Sequence, residues 1–259
     1  MDNGIMDDRE ELMRKLQTLG RNNRKLREER DRLIWVLEHA RENMDHLWLF
    51  ENREERMDAN VPIFSASRAQ FHRDRYAYAG DFAVGKVVLD IACGTGYGAA
   101  MLSDAGAQKV LGIDVDPLTV RYAQKNYGSD TVKFEVGDAG QLGLNRASFD
   151  LIVSFETIEH VENVDKMLKG LSEALKYDGK IIISTPNQWP LSIAKFHTNS
   201  YSRDQFKQCL EPYFDIELLL NQNSGSDYKY NHGQPRGISM NSDHNTPTAE
   251  CFIAVAVKK

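Results

Sequence analysis

From about Lys86 onward the sequence predicts an α/β fold built around a mostly parallel sheet. Three observations support this prediction. Short apolar segments alternate with helical stretches, three glycines (Gly94, Gly96 and Gly98) follow the first apolar segment, and an aspartate, Asp114, closes the second. Alternation of this kind is typical of sheets whose parallel strands are joined by helices.

Seven short segments rich in Val, Ile and Leu are predicted to be strands. They are residues 86–92, 109–115, 132–138, 149–156, 179–186, 214–220 and 250–257. Helices are predicted over 97–105, from Asp116-Pro117, over 162–176 and near 203–212, with a turn at Tyr177-Asp178-Gly179. The sequence therefore predicts a Rossmann-like, seven-stranded, mostly parallel sheet with helices on both faces and a final strand that can run antiparallel.

Residues 8–50 are predicted to form a charged helix that associates as a coiled coil. The heptad positions are Leu12, Leu19, Leu26, Leu33, Ala40 and Leu47, with Leu16, Asn23, Arg30, Leu37 and Met44 between them. This spacing winds helices around each other into a homo-oligomer, and a polar seam residue such as Asn23 can fix the register. The alternative is a single amphipathic helix packed on its own globular domain. We place the helical segment at 1–58 and the α/β domain at 59–259.

Composition restricts the classes of function. The 259 residues carry a net charge of -6, which leaves no basic surface for the phosphates of nucleic acid. The three cysteines show no paired spacing and no secretory leader is recognisable, so we expect free thiols and a cytoplasmic location. No apolar run reaches the length of a membrane helix. Residues 223–249 are polar and rich in turn residues, and are predicted to be a flexible loop or lid.

The glycine loop after the first strand predicts a cofactor site. Glycine tolerates positive φ and leaves no Cβ between the backbone and a ligand. The spacing GTGYGA also fits the dinucleotide pattern, and Asp114, 20 residues after Gly94, would hydrogen-bond ribose hydroxyls in either case. Taken alone, the loop leaves open a dehydrogenase and an unliganded structural turn.

Five segments in order resemble those of the class I, S-adenosylmethionine-dependent methyltransferases, and the resemblance runs through most of residues 70–220. They are LDIACGTGYG, GIDVDP, GDA, FDLIVSFETIEHV and LKYDGKIIISTPN. A nicotinamide enzyme requires none of the last three. The resemblance therefore implies an enzyme of that family, with S-adenosylmethionine as its cofactor.

The resemblance also implies which residues contact the cofactor. They are Arg75, Tyr76, Asp90, Ala92, Gly94, Gly96, Tyr97, Asp114, Val115, Asp138, Ala139, Ser154 and Phe155. Asp114 is expected on the ribose, and Asp138 with the backbone of Ala139 on the adenine amino group. Arg75 is expected to pair with the methionine carboxylate and Tyr76 to cover the sulfonium. The alternative for these last two is that they only pack their helix on the sheet.

At the acceptor end, His160 is the candidate general base and Glu159 its catalytic partner, since both follow the fourth predicted strand. Glu156, Trp189, His197 and Tyr201 are the candidate substrate-binding residues. We expect a small-molecule or saccharide acceptor that is methylated on a hydroxyl oxygen. A quinone- or lipid-precursor methyltransferase, or a non-catalytic cofactor-binding scaffold assembled through the coiled coil, are the alternatives. No metal is expected, because no His, Cys or acidic cluster has metal-ligand spacing along the chain.

Overall fold

The computed structural model describes residues 3–39, 44–52, 56–141, 143–192, 196–223, 237–240 and 249–259. The chain divides into two compact units. One comprises residues 1–55 with 61–64, and the other comprises 56–60 with 65–259. The predicted boundary after residue 58 stays a prediction.

The first unit contains two helices, α1 over Asn3–His39 and α2 over Met44–Glu51. The heptad positions are therefore divided between two helices, and Ala40 lies outside the described residues. Among the seam leucines of α1 whose side chains are described, Leu19 is 58% exposed, Leu26 68% and Leu37 70%. Such repeated exposure leaves an apolar stripe along a charged helix.

The second unit is built on a sheet that has eight strands in the described residues. These are β1 (Val87–Ile91), β2 (Lys109–Asp114), β3 (Val132–Val136), β4 (Phe149–Ser154), β5 (Leu175–Pro186), β6 (Phe214–Asn223), β7 (Gly237–Met240) and β8 (Cys251–Lys258). Their spatial order is β3-β2-β1-β4-β5-β8-β6-β7. The first five pair in parallel, and β8 runs antiparallel to both β5 and β6.

Helices cover both faces of this sheet. They are α3 (Ala66–Ala83), α4 (Tyr97–Asp104), α5 (Pro117–Tyr127), α6 (Val164–Ala174) and α7 (Arg203–Leu210). Successive residues of one strand point to opposite faces. In β1, Val88 packs in the apolar cluster that holds α3, α4 and α5, whereas Leu89 packs in the cluster that holds α6 and α7. The predicted mostly parallel, Rossmann-like sheet with helices on both faces is confirmed.

Local chemistry explains where the helices start. Asp116 accepts hydrogen bonds from the backbone amides of Leu118 and Thr119, and Pro117 occupies the first turn, so α5 starts at the predicted position. Ser202 and Gln205 form a capping box at the start of α7.

Within the α/β unit, two segments of the sheet differ from the prediction. Residues 177–179 are predicted from the sequence to form a turn but lie within β5. Phe149 of β4 pairs with Leu175 and Leu151 pairs with Lys180, so the residues between form a bulge with paired strand on both sides. Within 223–249, Gly237–Met240 forms the edge strand β7 against β6, and most of the remaining predicted loop lies outside the described residues. Among the described helices, none has the length and apolar character needed to cross a bilayer.

The approach of α3 to α4 provides a test of the packing. A Cβ added at Gly98 would lie 2.0 Å from Cζ of Tyr76, whose ring is itself buried. We expect Gly98→Ala to lower the free energy of unfolding by about 1–3 kcal/mol, measured by urea denaturation. Gly143→Ala is the matched control, since a Cβ there meets no described atom within 4 Å. Equal stability of the two variants would contradict this packing.

Candidate functional site

The candidate site lies at the carboxyl ends of four neighbouring strands. The glycine loop follows β1, Asp114 ends β2, Ser154 ends β4, and Thr185 lies near the end of β5. Since β1, β2, β4 and β5 are parallel, these ends meet at one edge of the sheet. Ligands of open α/β sheets bind in the crevice at this edge.

The backbone of the glycine loop takes conformations that favour glycine. Gly94 has φ 55° and Gly96 has φ 89°, and Ala92 adopts φ 57° although it has a side chain. Such strain in a non-glycine residue costs about 1–3 kcal/mol and is concentrated at functional sites. A Cβ at Gly94 would meet no described atom within 4 Å, so open space faces the loop.

Asp114 ties the glycine loop to β2. Its Oδ2 accepts from the Gly94 amide at 3.0 Å and its Oδ1 accepts from the Asp116 amide at 3.1 Å. A carboxylate oxygen can accept a second bond, so this buried carboxylate still has lone pairs for ribose hydroxyls. The loop and Asp114 therefore fit the ribose-containing part of the predicted cofactor.

A further segment, residues 56–60, lies against the same loop. The Thr95 hydroxyl donates to the Met57 carbonyl at 2.6 Å, and the Arg56 guanidinium lies 3.9 Å from Asp114 Oδ1. Asp58 is fully buried and accepts from the hydroxyls of Tyr122 and Tyr127. No sequence pattern marked these residues, because their partners lie far away along the chain.

Asp90 is fully buried beneath the loop and accepts from the Tyr76 hydroxyl at 3.2 Å. Burial raises the pKa of Asp90 to about 8, with the Tyr76 hydrogen bond opposing the rise and the Asp114 carboxylate adding to it. The ring of Tyr76 packs edge-on against Phe155 at 5.0 Å and against Tyr97 at 5.5 Å. These contacts give Tyr76 a packing role, and its predicted contact with the sulfonium stays a prediction.

Arg75 has partners inside the protein. Its Nη1 lies 2.6 Å from Oε1 of Glu156, and its Nη2 lies 2.9 Å from Nδ1 of His72. Ser184 and Cys251 hydrogen-bond to the same Glu156 oxygen, and Glu156 adopts φ 51°. The buried guanidinium thus holds a strained carboxylate at the end of β4, so the predicted pairing of Arg75 with the cofactor carboxylate stays a prediction.

The acceptor end brings together three predicted residues, Glu159, His160 and His197. Nε2 of His160 lies 3.9 Å from Oε1 of Glu159, and the two imidazole rings meet edge-on with centroids 4.7 Å apart. Burial, followed by the nearby Glu156 carboxylate, raises the pKa of Glu159 well above its usual value. Burial, followed by His160, lowers the pKa of His197. Nothing in the sequence spacing predicted that His197 would reach this pair.

The other predicted residues are distributed more widely. The Ser154 hydroxyl is buried and has no hydrogen-bond partner among the described residues, which leaves it free for a polar group of a ligand. Asp138 caps a short turn through the Gly140 amide, Ala139 opens that turn, and Val115 is exposed.

Two predicted substrate-binding residues are aromatic. Trp189 is half-buried, whereas the ring of Tyr201 packs towards Phe206, at a centroid distance of 6.4 Å, in the α6–α7 cluster. The contacts of Tyr201 are therefore those of a core residue, and its predicted contact with substrate stays a prediction.

The glycine loop, the strand-end aspartate and the unpartnered Ser154 hydroxyl fit the predicted binding of a ribose-containing cofactor to an α/β protein. A family profile described as a methyltransferase domain matches residues 89–183. A probable S-adenosylmethionine-dependent methyltransferase of Mycolicibacterium smegmatis is 28% identical over 172 residues, covering 63% of this chain and 66% of that protein. A demethylmenaquinone methyltransferase of Lactobacillus johnsonii is 32% identical over 169 residues, covering 63% of this chain and 64% of that protein.

Among solved structures, the PH0226 protein of Pyrococcus horikoshii shares the fold at a TM-score of 0.57 and 20% identity, over 78% of this chain and 94% of that one. The chain spans between 46% and 66% of the length of the first curated relatives that it matches. Residues 89–183 therefore resemble a methyltransferase domain, and the relatives with this similarity are named as S-adenosylmethionine-dependent methyltransferases. The predicted fold is confirmed, and the relatives named here agree with the predicted family and cofactor class.

Removal of the Asp114 carboxylate tests the donor end. We expect Asp114→Ala to raise the dissociation constant for S-adenosylmethionine by about 10- to 100-fold, because hydrogen bonds to a charged group contribute about 1.5–3 kcal/mol. Isothermal titration calorimetry measures the change. Asp130→Ala removes the same charge from an exposed loop position and is the matched control. Wild-type affinity in Asp114→Ala would exclude Asp114 from the cofactor site.

Proposed function

We propose that this chain transfers the methyl group of S-adenosylmethionine to a hydroxyl oxygen of a small-molecule or saccharide acceptor. One observation carries the proposal. The donor features around Asp114 and a cluster of lone-pair donors, Glu159, His160 and His197, belong to the same carboxyl edge of the sheet. A methyl donor and a group that handles a hydroxyl proton are the two components that O-methylation needs.

The donor end would act by binding and orientation. The cofactor, when bound, supplies an electrophilic methyl group on a sulfonium with a neutral thioether as its leaving group. The glycine loop gives the cofactor access to the backbone, Asp114 would hold the ribose, and Ser154 would donate to or accept from a polar group. Orientation of this kind contributes several kcal/mol to a displacement reaction.

The acceptor end supports a hydroxyl as the group that is methylated. Nδ1 of His160 lies 3.0 Å from the Phe196 carbonyl, which can only accept, so the neutral ring would carry its proton on Nδ1 and keep a lone pair on Nε2. That lone pair suits the predicted role of general base towards an acceptor hydroxyl. Trp189, half-buried on the segment after β5, would contribute an apolar wall for a ring-shaped acceptor.

A quinone precursor is the second candidate acceptor. The similarity to the demethylmenaquinone methyltransferase of Lactobacillus johnsonii favours it. An acceptor screen that detects released S-adenosylhomocysteine distinguishes the two, with saccharides bearing free hydroxyls in one arm and quinols in the other. Cofactor binding without release in any arm would support the non-catalytic scaffold instead.

His160 provides the sharpest test of the acceptor end. With the best acceptor from the screen, we expect His160→Ala to lower turnover by at least about 10²-fold while the affinity for S-adenosylmethionine stays unchanged. His39→Ala, in the first unit, is the matched control and should leave turnover unaltered. Unaltered turnover in His160→Ala would remove this residue from the reaction.

We also propose that α1 pairs with a second copy of itself and that the chain is a cytoplasmic homo-oligomer. The exposed seam leucines recur at heptad spacing, Asn23 lies in the same seam, and acidic and basic residues alternate beside it. A seam with these properties matches itself better than it matches an unrelated apolar surface.

Sedimentation tests this association. We expect the wild-type chain to sediment as an oligomer at tens of micromolar and Leu26→Glu to shift it towards the monomer, because a charge in the seam is left without a partner. Gln17→Glu adds the same charge outside the seam and should sediment like the wild type. A monomeric wild-type chain would refute the coiled coil.

A further inference from the structure

We infer that Glu159, His160 and His197 form a binding site for a divalent transition-metal cation. Each side chain offers one ligand atom, and the three atoms lie within 4.8 Å of one another. Two imidazoles and one carboxylate are the donor set of many catalytic zinc sites and of mononuclear iron sites. The binding of a cation does not depend on the proposed methyl transfer. The role of the cation in catalysis, by contrast, rests on that proposed function.

Unsatisfied lone pairs point into this cluster. Oε1 of Glu159 and Nδ1 of His197 are buried and have no hydrogen-bond partner among the described residues. The Glu159 side chain is only 1% exposed, so solvent does not compensate for the missing partner. A buried polar atom without a partner costs about 1–3 kcal/mol, and a shared cation would satisfy both atoms at once.

The surroundings of the cluster already hold two of the ligands in position. The Thr185 hydroxyl donates to Oε2 of Glu159 at 3.2 Å, which leaves Oε1 for the cation. The Phe196 carbonyl accepts a hydrogen bond from Nδ1 of His160, which leaves Nε2 of His160 for the cation. Metal-binding histidines commonly donate their second ring nitrogen to a backbone carbonyl in this way, and such partners fix the ring orientation.

Backbone hydrogen bonds fasten the segment that carries His197 to the segment that carries the other two ligands. The amides of Thr198 and Asn199 both donate to the Glu159 carbonyl, at 2.8 and 3.0 Å. The Asn199 side chain donates to the Val161 carbonyl at 2.8 Å. His197 is therefore held beside Glu159 by its own neighbours, and with the three ligand atoms within 4.8 Å of one another a bound ion would draw them in to the usual distance of about 2.0–2.2 Å.

The donor set favours a first-row transition metal over Mg²⁺ or Ca²⁺, because the latter prefer all-oxygen sites. Three protein ligands leave coordination positions for an acceptor hydroxyl, whose pKa the cation would lower. The hydroxyl proton would pass to solvent, the oxygen lone pair would form the new C–O bond, and the C–S electron pair would return to sulfur. His160 would then serve as a ligand, and the cation would take over the activation of the hydroxyl.

Metal titration of the full chain tests the site without any acceptor. After dialysis against a chelator, Co²⁺ alone is added and its visible absorption followed, with Zn²⁺ as competitor. We expect one equivalent to bind with absorption bands of nitrogen-containing coordination. We expect His160→Ala and His197→Ala each to weaken binding at least tenfold, and His39→Ala to leave it unchanged. Glu159→Gln keeps the shape of the side chain and should also weaken binding.

Binding of S-adenosylmethionine is measured on the same samples. Its retention shows that each variant is folded, and His160 is exposed enough for its replacement to leave the packing intact. Failure of Co²⁺ to bind the wild type, or wild-type affinity for Co²⁺ in His160→Ala and His197→Ala, would overturn the metal site. The proposed methyl transfer is tested by different measurements. It would be refuted if the wild-type chain bound no S-adenosylmethionine or released no S-adenosylhomocysteine with any acceptor, whether or not Co²⁺ binds.

Discussion

The hydrogen bond from the Gly94 amide to Asp114 joins the carboxyl ends of β1 and β2. The donor half of the site, meaning the glycine loop and Asp114 that would bind the methyl donor, depends on this bond. The bond closes the glycine loop over a buried carboxylate, so the loop cannot move without breaking a charge-assisted bond. The left-handed backbone at Ala92, Gly94 and Gly96 is the geometry that this closure requires. The Thr95–Met57 hydrogen bond then holds the 56–60 segment against the closed loop.

A second buried interaction organises the acceptor half. The ion pair between Arg75 and Glu156 connects α3 to the end of β4, and Ser184 of β5 and Cys251 of β8 hydrogen-bond to the same carboxylate. Loss of one partner of such a pair typically costs about 3–5 kcal/mol, since it leaves an uncompensated buried charge. Because Glu156 precedes Glu159 by less than one helical turn, its fixed position also sets the start of the segment that carries His160. The strained φ of Glu156 is maintained by these contacts.

The local geometry of the glycine loop and Asp114 could be predicted from the sequence, whereas the contacts around Glu156 and Glu159 could be predicted only in part, and the reason is physical. A backbone that must turn sharply beside a ligand restricts residue types locally, so the glycines, Asp114 and Asp116-Pro117 were recognisable from short motifs. The Arg75–Glu156 pair and the Asp58 contacts join residues that are distant along the chain and need no local pattern. The same holds for the bulge in β5, which depends on pairing with β4, and for β7, which consists of four residues in a polar stretch.

His197 shows most clearly why spacing along the chain can mislead. The sequence predicts no metal site, because no His, Cys or acidic cluster has metal-ligand spacing along the chain, yet Thr198 and Asn199 bring His197 to Glu159 and His160 through the Glu159 carbonyl. Those two backbone hydrogen bonds carry no residue preference, so no motif could have revealed them. The side chains that would meet the acceptor thus depend on how the connection after β5 folds back on β4. This connection can change without disturbing the glycine loop, so the choice of acceptor can change independently of the loop that would hold the cofactor.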